Sequence, residues 1–293
     1  MPAVFVLIWS TGFVVARFGM PHAPPMGFLA WRFALSVGVF ALWVTFARAA
    51  WPRSRAQGAH LAVVGLLVHA GYLGGVWSAV KLGLGAGTCA LIVGLQPVLT
   101  ALWVAGVGRP RQRIAPRQWL GLALGLAGLL LVVGDKLGVG EVTAANLGLS
   151  LAALLSITAG TLYQKRFVAP CDVRTANLVQ LAAAFVVTLP FALAETEPMR
   201  WGPALGGAMA WSVLVLTLGG SSLLYLLMQR GAATHVASLM YLVPPCTALL
   251  AWALFGERLT PAVLAGLVVT AVGVALVVRE PWRSGGAAHD ARP

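Results

Sequence analysis

Pro116-Arg-Gln-Trp-Leu-Gly-Leu-Ala-Leu-Gly-Leu-Ala-Gly-Leu-Leu-Leu-Val-Val-Gly134 carries a single charged residue, Arg117, near its start. A helix rises about 1.5 Å per residue, so about 20 apolar residues cross a hydrocarbon core of about 30 Å. By that measure the stretch is a membrane span, opened by a proline in the first helical turn, where no hydrogen bond is lost. The same ruler, moved outward, gives ten segments: 3–19, 26–46, 60–80, 86–106, 116–134, 146–164, 175–194, 207–228, 234–255 and 261–279. Pro, Gly or charge marks the breaks, as at Pro21/Pro24/Pro25, Arg48 to Arg55, Arg109 to Arg117, Pro170 to Arg174 and Glu195 to Arg200. The expected fold is an all-α integral membrane protein of ten transmembrane helices.

Composition points the same way. The 293 residues are 59% hydrophobic and 10% charged, with a mean hydropathy of +0.87, whereas a soluble domain carries about 25% charged residues. So few charges cannot clothe a water-facing surface, which excludes soluble enzymes, secreted modules and disordered chains. The net charge of +12 does not indicate a nucleic-acid partner, because Lys and Arg fall in short clusters between apolar stretches and not on one polar face. Cys89, Cys171 and Cys246 show no CxxC or Cys/His spacing, so neither a metal site nor a disulfide framework is expected. Nothing calls for a cofactor. No basic region precedes the apolar run at Ala3, and no cleavable signal is expected.

The basic residues orient the chain. With the N-terminus inside, fourteen Lys and Arg fall on the inner side (Arg48, Arg53 and Arg55, the Arg109–Arg117 group, Lys165, Arg166 and Arg174 among them) and four outside: Lys81, Lys136, Arg200 and Arg258. Inner loops are enriched in Lys and Arg, so both termini are expected in the cytoplasm. The polar end at 281–293 reads as a disordered tail.

The chain also repeats itself. Pro97-Val-Leu-Thr-Ala-Leu102 matches Pro244-Pro-Cys-Thr-Ala-Leu249, and Pro116, Gly121 and Gly128 match Pro261, Gly266 and Gly273. Residues 1–134 and 135–280 thus form two units of five spans, and an odd number inserts the second unit upside down. Inverted repeats of this kind mark transporters with a substrate site near the midplane. Thr260 before Pro261 suits a helix N-cap. Gly121, Gly125 and Gly128, with Ala262, Gly266 and Gly273, make small-residue packing faces, read as contacts within a monomer, with a homodimer as the alternative.

Trp9-Ser-Thr-Gly-Phe13, Trp31-Arg32-Phe33, the Lys81-to-Pro97 stretch and Gly256-Glu257-Arg-Leu259 resemble the EamA-type transporters of the drug/metabolite transporter superfamily, over residues 3–279. The resemblance implies a ten-helix inner-membrane carrier, often an exporter of metabolites or amino acids, with a cavity between the halves. One departure stands out: the first half has Arg109-Pro-Arg-Gln-Arg113 where the second has Gly256-Glu257-Arg258, so the Glu occurs once.

Every Asp and Glu falls in a loop or at a helix end. Carboxylates at membrane depth serve proton-driven carriers and membrane enzymes, and none is placed there. The titratable group at mid-span is His69, with Tyr72 one turn on. Arg32 lies about 9 Å into the second segment, and Arg17 lies near the same outer end. Trp9 and Thr11 in the first segment, and Ser156 and Tyr163 in the sixth, occupy corresponding places in the two repeats. Tyr72, Trp77 and Gln96, with Ser221, Tyr225 and Tyr241, complete a set of hydrogen-bonding groups suited to a small-molecule cavity. The plainer alternatives are interhelical hydrogen bonding for these groups and snorkelling for the arginines. Pro97, Pro244 and Pro245 are expected to kink their helices.

The function read from the sequence is alternating-access transport, in the export direction, of small organic metabolites such as amino acids or their derivatives. An uncoupled facilitator is the alternative, with a membrane enzyme or sensor behind it. The absence of acidic residues at depth favours neutral, zwitterionic or anionic solutes, with a carboxylate facing Arg32.

Overall fold

The structure, a computed structural model, describes residues 2–107, 116–138, 140–223, 225 and 242–278. Tyr241, the Arg109–Arg113 motif and the tail lie outside them. The regular structure among the described residues is all helical: α1 (Pro2–Gly19), α2 (Pro25–Phe46), α3 (Arg55–Lys81), α4 (Ala86–Val93), α5 (Gln96–Val107), α6 (Pro116–Gly138), α7 (Ala144–Phe167), α8 (Val173–Ala194), α9 (Pro203–Ser221), α10 (Val243–Phe255) and α11 (Pro261–Val278). Seven stretches among them are long and apolar enough to cross a membrane, α4 and α5 together forming one of these as Ala86–Trp103. Three shorter apolar helices accompany them, at Val6–Gly19, Val243–Phe255 and Pro261–Leu276.

Local chemistry sets the helix starts. Ser54 Oγ accepts from Gln57 N (3.1 Å), Thr143 and Asn146 exchange reciprocal hydrogen bonds, and Thr260 Oγ1 accepts from Val263 N (3.2 Å). Each satisfies N–H groups that the first turn leaves without partners. The outward faces stay apolar: Leu126 and Leu130 on α6, Val186 and Leu193 on α8, and Leu254 on α10 are all exposed. In water such a surface would aggregate, whereas lipid matches it. Exposed tryptophans, Trp31 and Trp201 at one end and Trp43 and Trp51 at the other, suit the two interfaces.

The small-residue faces meet inside the chain. α6 packs along α11 so closely that a Cβ at Gly128 would lie 2.5 Å from Gly266 O, and one at Gly273 would lie 2.6 Å from Gly121 O. α2 lies along α8, α3 along α7 and α8, and α1 against α10.

The fourth segment breaks into two helices at Gly94-Leu95, and Pro97 stands in the first turn of α5. Pro244 and Pro245 likewise stand in the first turn of α10, where proline costs no hydrogen bond. The break at Gly94-Leu95 lies just before Pro97 within the single apolar stretch Ala86–Trp103, and the residues that lead into Leu242 and Pro244 lie outside the described ones. Elsewhere α3 and α9 widen to π-helical geometry at Gly65–Gly71 and Trp211–Ser221. Hydroxyl groups take up carbonyls there: Ser156 Oγ donates to Leu67 O (2.8 Å) and Thr217 Oγ1 to Ser212 O (2.8 Å). Such widenings re-aim side chains and favour functional sites.

Candidate functional site

The widened part of α3 faces a cavity of about 750 Å³, its open mouth included, walled by α1, α2, α3, α7, α8 and α9. Trp9, Gly12 and Phe13 come from α1, and Arg32 comes from α2. The π-helical register of α3 turns Val68 and His69 to the same space as Tyr72, Val76 and Trp77. Gln164, Asn177, Gln180, Leu216, Ser221 and Tyr225 close it from the second half of the chain.

Seven of the residues singled out in the sequence therefore share one cavity: Trp9, Arg32, His69, Tyr72, Trp77, Ser221 and Tyr225. Four do not line it. Thr11 accepts from Trp211 Nε1 (3.0 Å) and donates to Ile8 O, on the exposed side of α1. Gln96 bonds Thr161 Oγ1 (3.1 Å) and borders a smaller space with Pro97 and Val243. Ser156 is committed to Leu67 O, and Tyr163 to His60 Nδ1 (2.8 Å) with Phe167 beside both rings. Arg17 is partly exposed and does not line the cavity. Gln164, Asn177 and Gln180 were missed. Asn177 and Gln180 sit one turn apart near the start of α8, and two amides on one face of an apolar helix were the available signal.

The polar groups of the cavity are ordered. Arg32, 5% exposed, donates to Thr217 Oγ1 from Nε (3.2 Å) and Nη2 (3.1 Å). His69, also buried, is hydrogen-bonded to Gln180 and lies within electrostatic reach of Arg32. Its ring meets Phe33 edge-on at 6.3 Å. Tyr72 is hydrogen-bonded to Trp9. Trp77 stacks on Phe28 at 4.3 Å, an apolar floor with Phe13 and Val76 around it. Aromatic and aliphatic walls with a few placed polar groups suit a small organic solute. Among the described residues no group of three or more His, Cys, Asp or Glu could hold a metal ion.

Carboxylates cluster away from the cavity and serve as helix caps. Glu195 accepts from Met26 N (3.1 Å) and Gly27 N (2.7 Å) at the start of α2. Glu257 accepts from Ala86 N (2.9 Å) and Gly87 N (3.4 Å) at the start of α4. The preceding Gly256 ends α10 with φ +65°, a left-handed conformation that glycine adopts without strain. Gly256-Glu257 is thus a turn that delivers an anion to the positive end of another helix. Glu141 accepts from Gly85 N and pairs with Lys136 (2.8 Å), and Lys81 Nζ joins Met20 O, Ala23 O and Glu197 (2.7 Å). All six charged groups close the same end of the bundle, where α3, α6, α8 and α10 finish. Glu257→Ala leaves two N–H groups without partners. It is expected to cost roughly 1–3 kcal/mol of stability, read as a lowered Tm in detergent, with Glu257→Gln losing less.

At the opposite end, Asp172 caps α8 by accepting from Arg174 N (2.9 Å) and pairs with the guanidinium (2.6 Å). The Arg174 side-chain hydrogen bonds hold its carboxyl below the usual carboxylate range, so the cap stays charged at neutral pH.

Comparison with known proteins places the chain. The model of the EamA-like transporter family matches residues 3–134 and again 145–279. This chain belongs to that family. A "probable amino-acid metabolite efflux pump" of Salmonella typhimurium is 27% identical, over 92% of this chain and 90% of its own length. An inner membrane transporter of Escherichia coli K12 is 28% identical, over 94% of this chain and 89% of its own length. A crystal structure 19% identical in sequence superposes with a TM-score of 0.67, covering 94% of each chain, and so shares the fold. Family and helices together make the chain a multi-pass membrane transporter.

Proposed function

We propose that the chain spans the inner membrane ten times as two inverted five-helix repeats, 1–134 and 135–280, and exports small organic metabolites such as amino acids or their derivatives by alternating access. The observation that carries the reading is the central cavity, whose walls come from α1, α2 and α3 of the first half and α7, α8 and α9 of the second. A site shared by two halves is one that rocking the halves can expose to either side in turn. The family model's two matches support the duplication. The relatives' names support both metabolite efflux and the inner membrane.

The charge arrangement supports a state. The capping carboxylates and Lys81 bind the loops together at one end, which the basic-residue count makes the outer end. From Trp77 the cavity runs toward Gln164, Asn177 and Tyr225, near the basic, inner end. The arrangement reads as inward-facing, with the outer end latched.

Two experiments test this. Export of amino acids and their derivatives should rise in cells overproducing the chain, measured by metabolite analysis of the medium, and no change in any solute would defeat the export reading. With the native cysteines removed, a cysteine placed at Arg111 is expected to react with membrane-impermeant maleimide only after cells are opened, whereas one at Glu141 reacts in intact cells. Labelling at position 111 from outside would overturn the topology.

A further inference from the structure

We propose, resting on the transport reading above, that the cavity binds its solute as a carboxylate, with the anionic group on Arg32 and a second acceptor oxygen on the amide nitrogen of Gln180. A guanidinium has five N–H donors and accepts nothing, and Thr217 engages two of them. Thr217 is a neutral partner whose own proton goes to Ser212 O. Arg32 therefore sits buried in the membrane interior with its charge uncompensated. Among the described residues no Asp or Glu pairs with it, and every Asp and Glu of the sequence falls in a loop or at a helix end. A buried cation without a counter-charge is costly, and a solute anion relieves that cost.

Gln180 supplies the second, independent observation. It is 4% exposed and lines the same cavity. One side of its amide meets His69, and its Nε2 has no hydrogen-bond partner among the described residues. A buried amide N–H₂ left open is a donor awaiting an acceptor. His69 is hydrogen-bonded to Gln180 and within electrostatic reach of Arg32, and all three line the one cavity that the solute would enter. Phe13, Trp77 and Leu216 surround the remaining space with apolar surface. The fitting solute is a small organic carboxylate with an apolar body and a second oxygen acceptor, such as an amino acid whose amine is acylated. A free ammonium group placed here would add positive charge beside Arg32 with no acid to meet it.

The test uses four matched probes: N-acetyl-leucine (anion), its methyl ester (neutral), leucine (zwitterion) and leucine amide (cation). Binding to the purified full chain is read from fluorescence of the cavity tryptophans Trp9 and Trp77, and flux from counterflow in proteoliposomes. N-acetyl-leucine is expected to bind at least tenfold more tightly than its ester, with leucine amide weakest. Arg32→Gln should erase the acid-over-ester preference, Arg32→Lys should keep part of it, and Gln180→Leu should weaken acid and ester alike. The ester comparison needs no variant, so it stands even where Arg32→Gln fails to fold. Equal binding of acid and ester, or a preference for the amide, overturns the carboxylate site even where flux is robust. Arg32-dependent binding without flux of any probe instead leaves the site standing and defeats the transport reading.

Discussion

Gly128→Leu is expected to abolish accumulation of folded protein. The contact between α6 and α11 is backbone against backbone: a Cβ at position 128 would sit 2.5 Å from Gly266 O and 2.7 Å from Thr270 N. Neither atom belongs to a side chain that can rotate away. Overfilled cores cost about 1–3 kcal/mol when side chains can adjust. Here the two helices must separate along their length, which also opens the matching contacts of Gly273 with Gly121 and Gly125. In a membrane no hydrophobic drive holds helices together, so close packing is what associates them. Fluorescence-detected gel filtration of detergent extracts should show loss of the monodisperse peak. Gly134→Leu on the same helix meets nothing within 4 Å and is expected to leave that peak intact. Equal yields from the two variants would mean that α6 and α11 do not pack through this face.

The same face shows why so much was legible in the sequence. Hydropathy with a length of about 20 residues is a strong constraint in lipid, since backbone groups must be satisfied within the helix. Small residues at matching places in two segments disclosed a contact before any coordinates. Thr260 capping α11 was equally readable, because an N-cap is a local event. The site was legible only in part. Trp9, Arg32, His69, Tyr72 and Trp77 converge as their chemistry suggested, but Thr11, Ser156 and Tyr163 spend their hydroxyls on local or interhelical partners. α3 widens to π-helical geometry at Gly65–Gly71, where Ser156 of α7 donates to Leu67 O and packs against Gly71. No periodicity along one segment encodes that. The break at Gly94-Leu95, just before Pro97, is a local backbone event that hydropathy along the run does not mark. Glu257 occurs once in the two halves, and its capping role could not be read because the helix start it caps, that of α4, is far away in sequence.

The second large effect concerns energy coupling. His69→Ala is expected to leave a carrier whose flux does not respond to an imposed pH gradient. A solute that moves with protons needs a group at membrane depth that can gain and lose one. Every Asp and Glu falls in a loop or at a helix end, and an arginine holds its proton throughout. His69 is the histidine in the cavity, buried beside Arg32 and Phe33 of α2 and Gln180 of α8. Imidazole is the side chain whose ordinary titration falls near neutral pH. Proton binding there would place a second positive charge next to Arg32, so it is favoured with an anionic solute present and opposed without one. That linkage would tie solute binding to proton binding, so that a pH gradient changes the flux. The measurement is initial counterflow of N-acetyl-leucine in proteoliposomes at symmetric pH and with a gradient of one unit, for the parent chain and for His69→Ala. Gln180→Leu serves as a control that perturbs the same cavity while retaining the imidazole. Any acceleration by the gradient seen in the parent should persist in Gln180→Leu and vanish in His69→Ala, which should still exchange solute at symmetric pH. A gradient response that survives in His69→Ala would assign proton movement to another group and refute the role of His69.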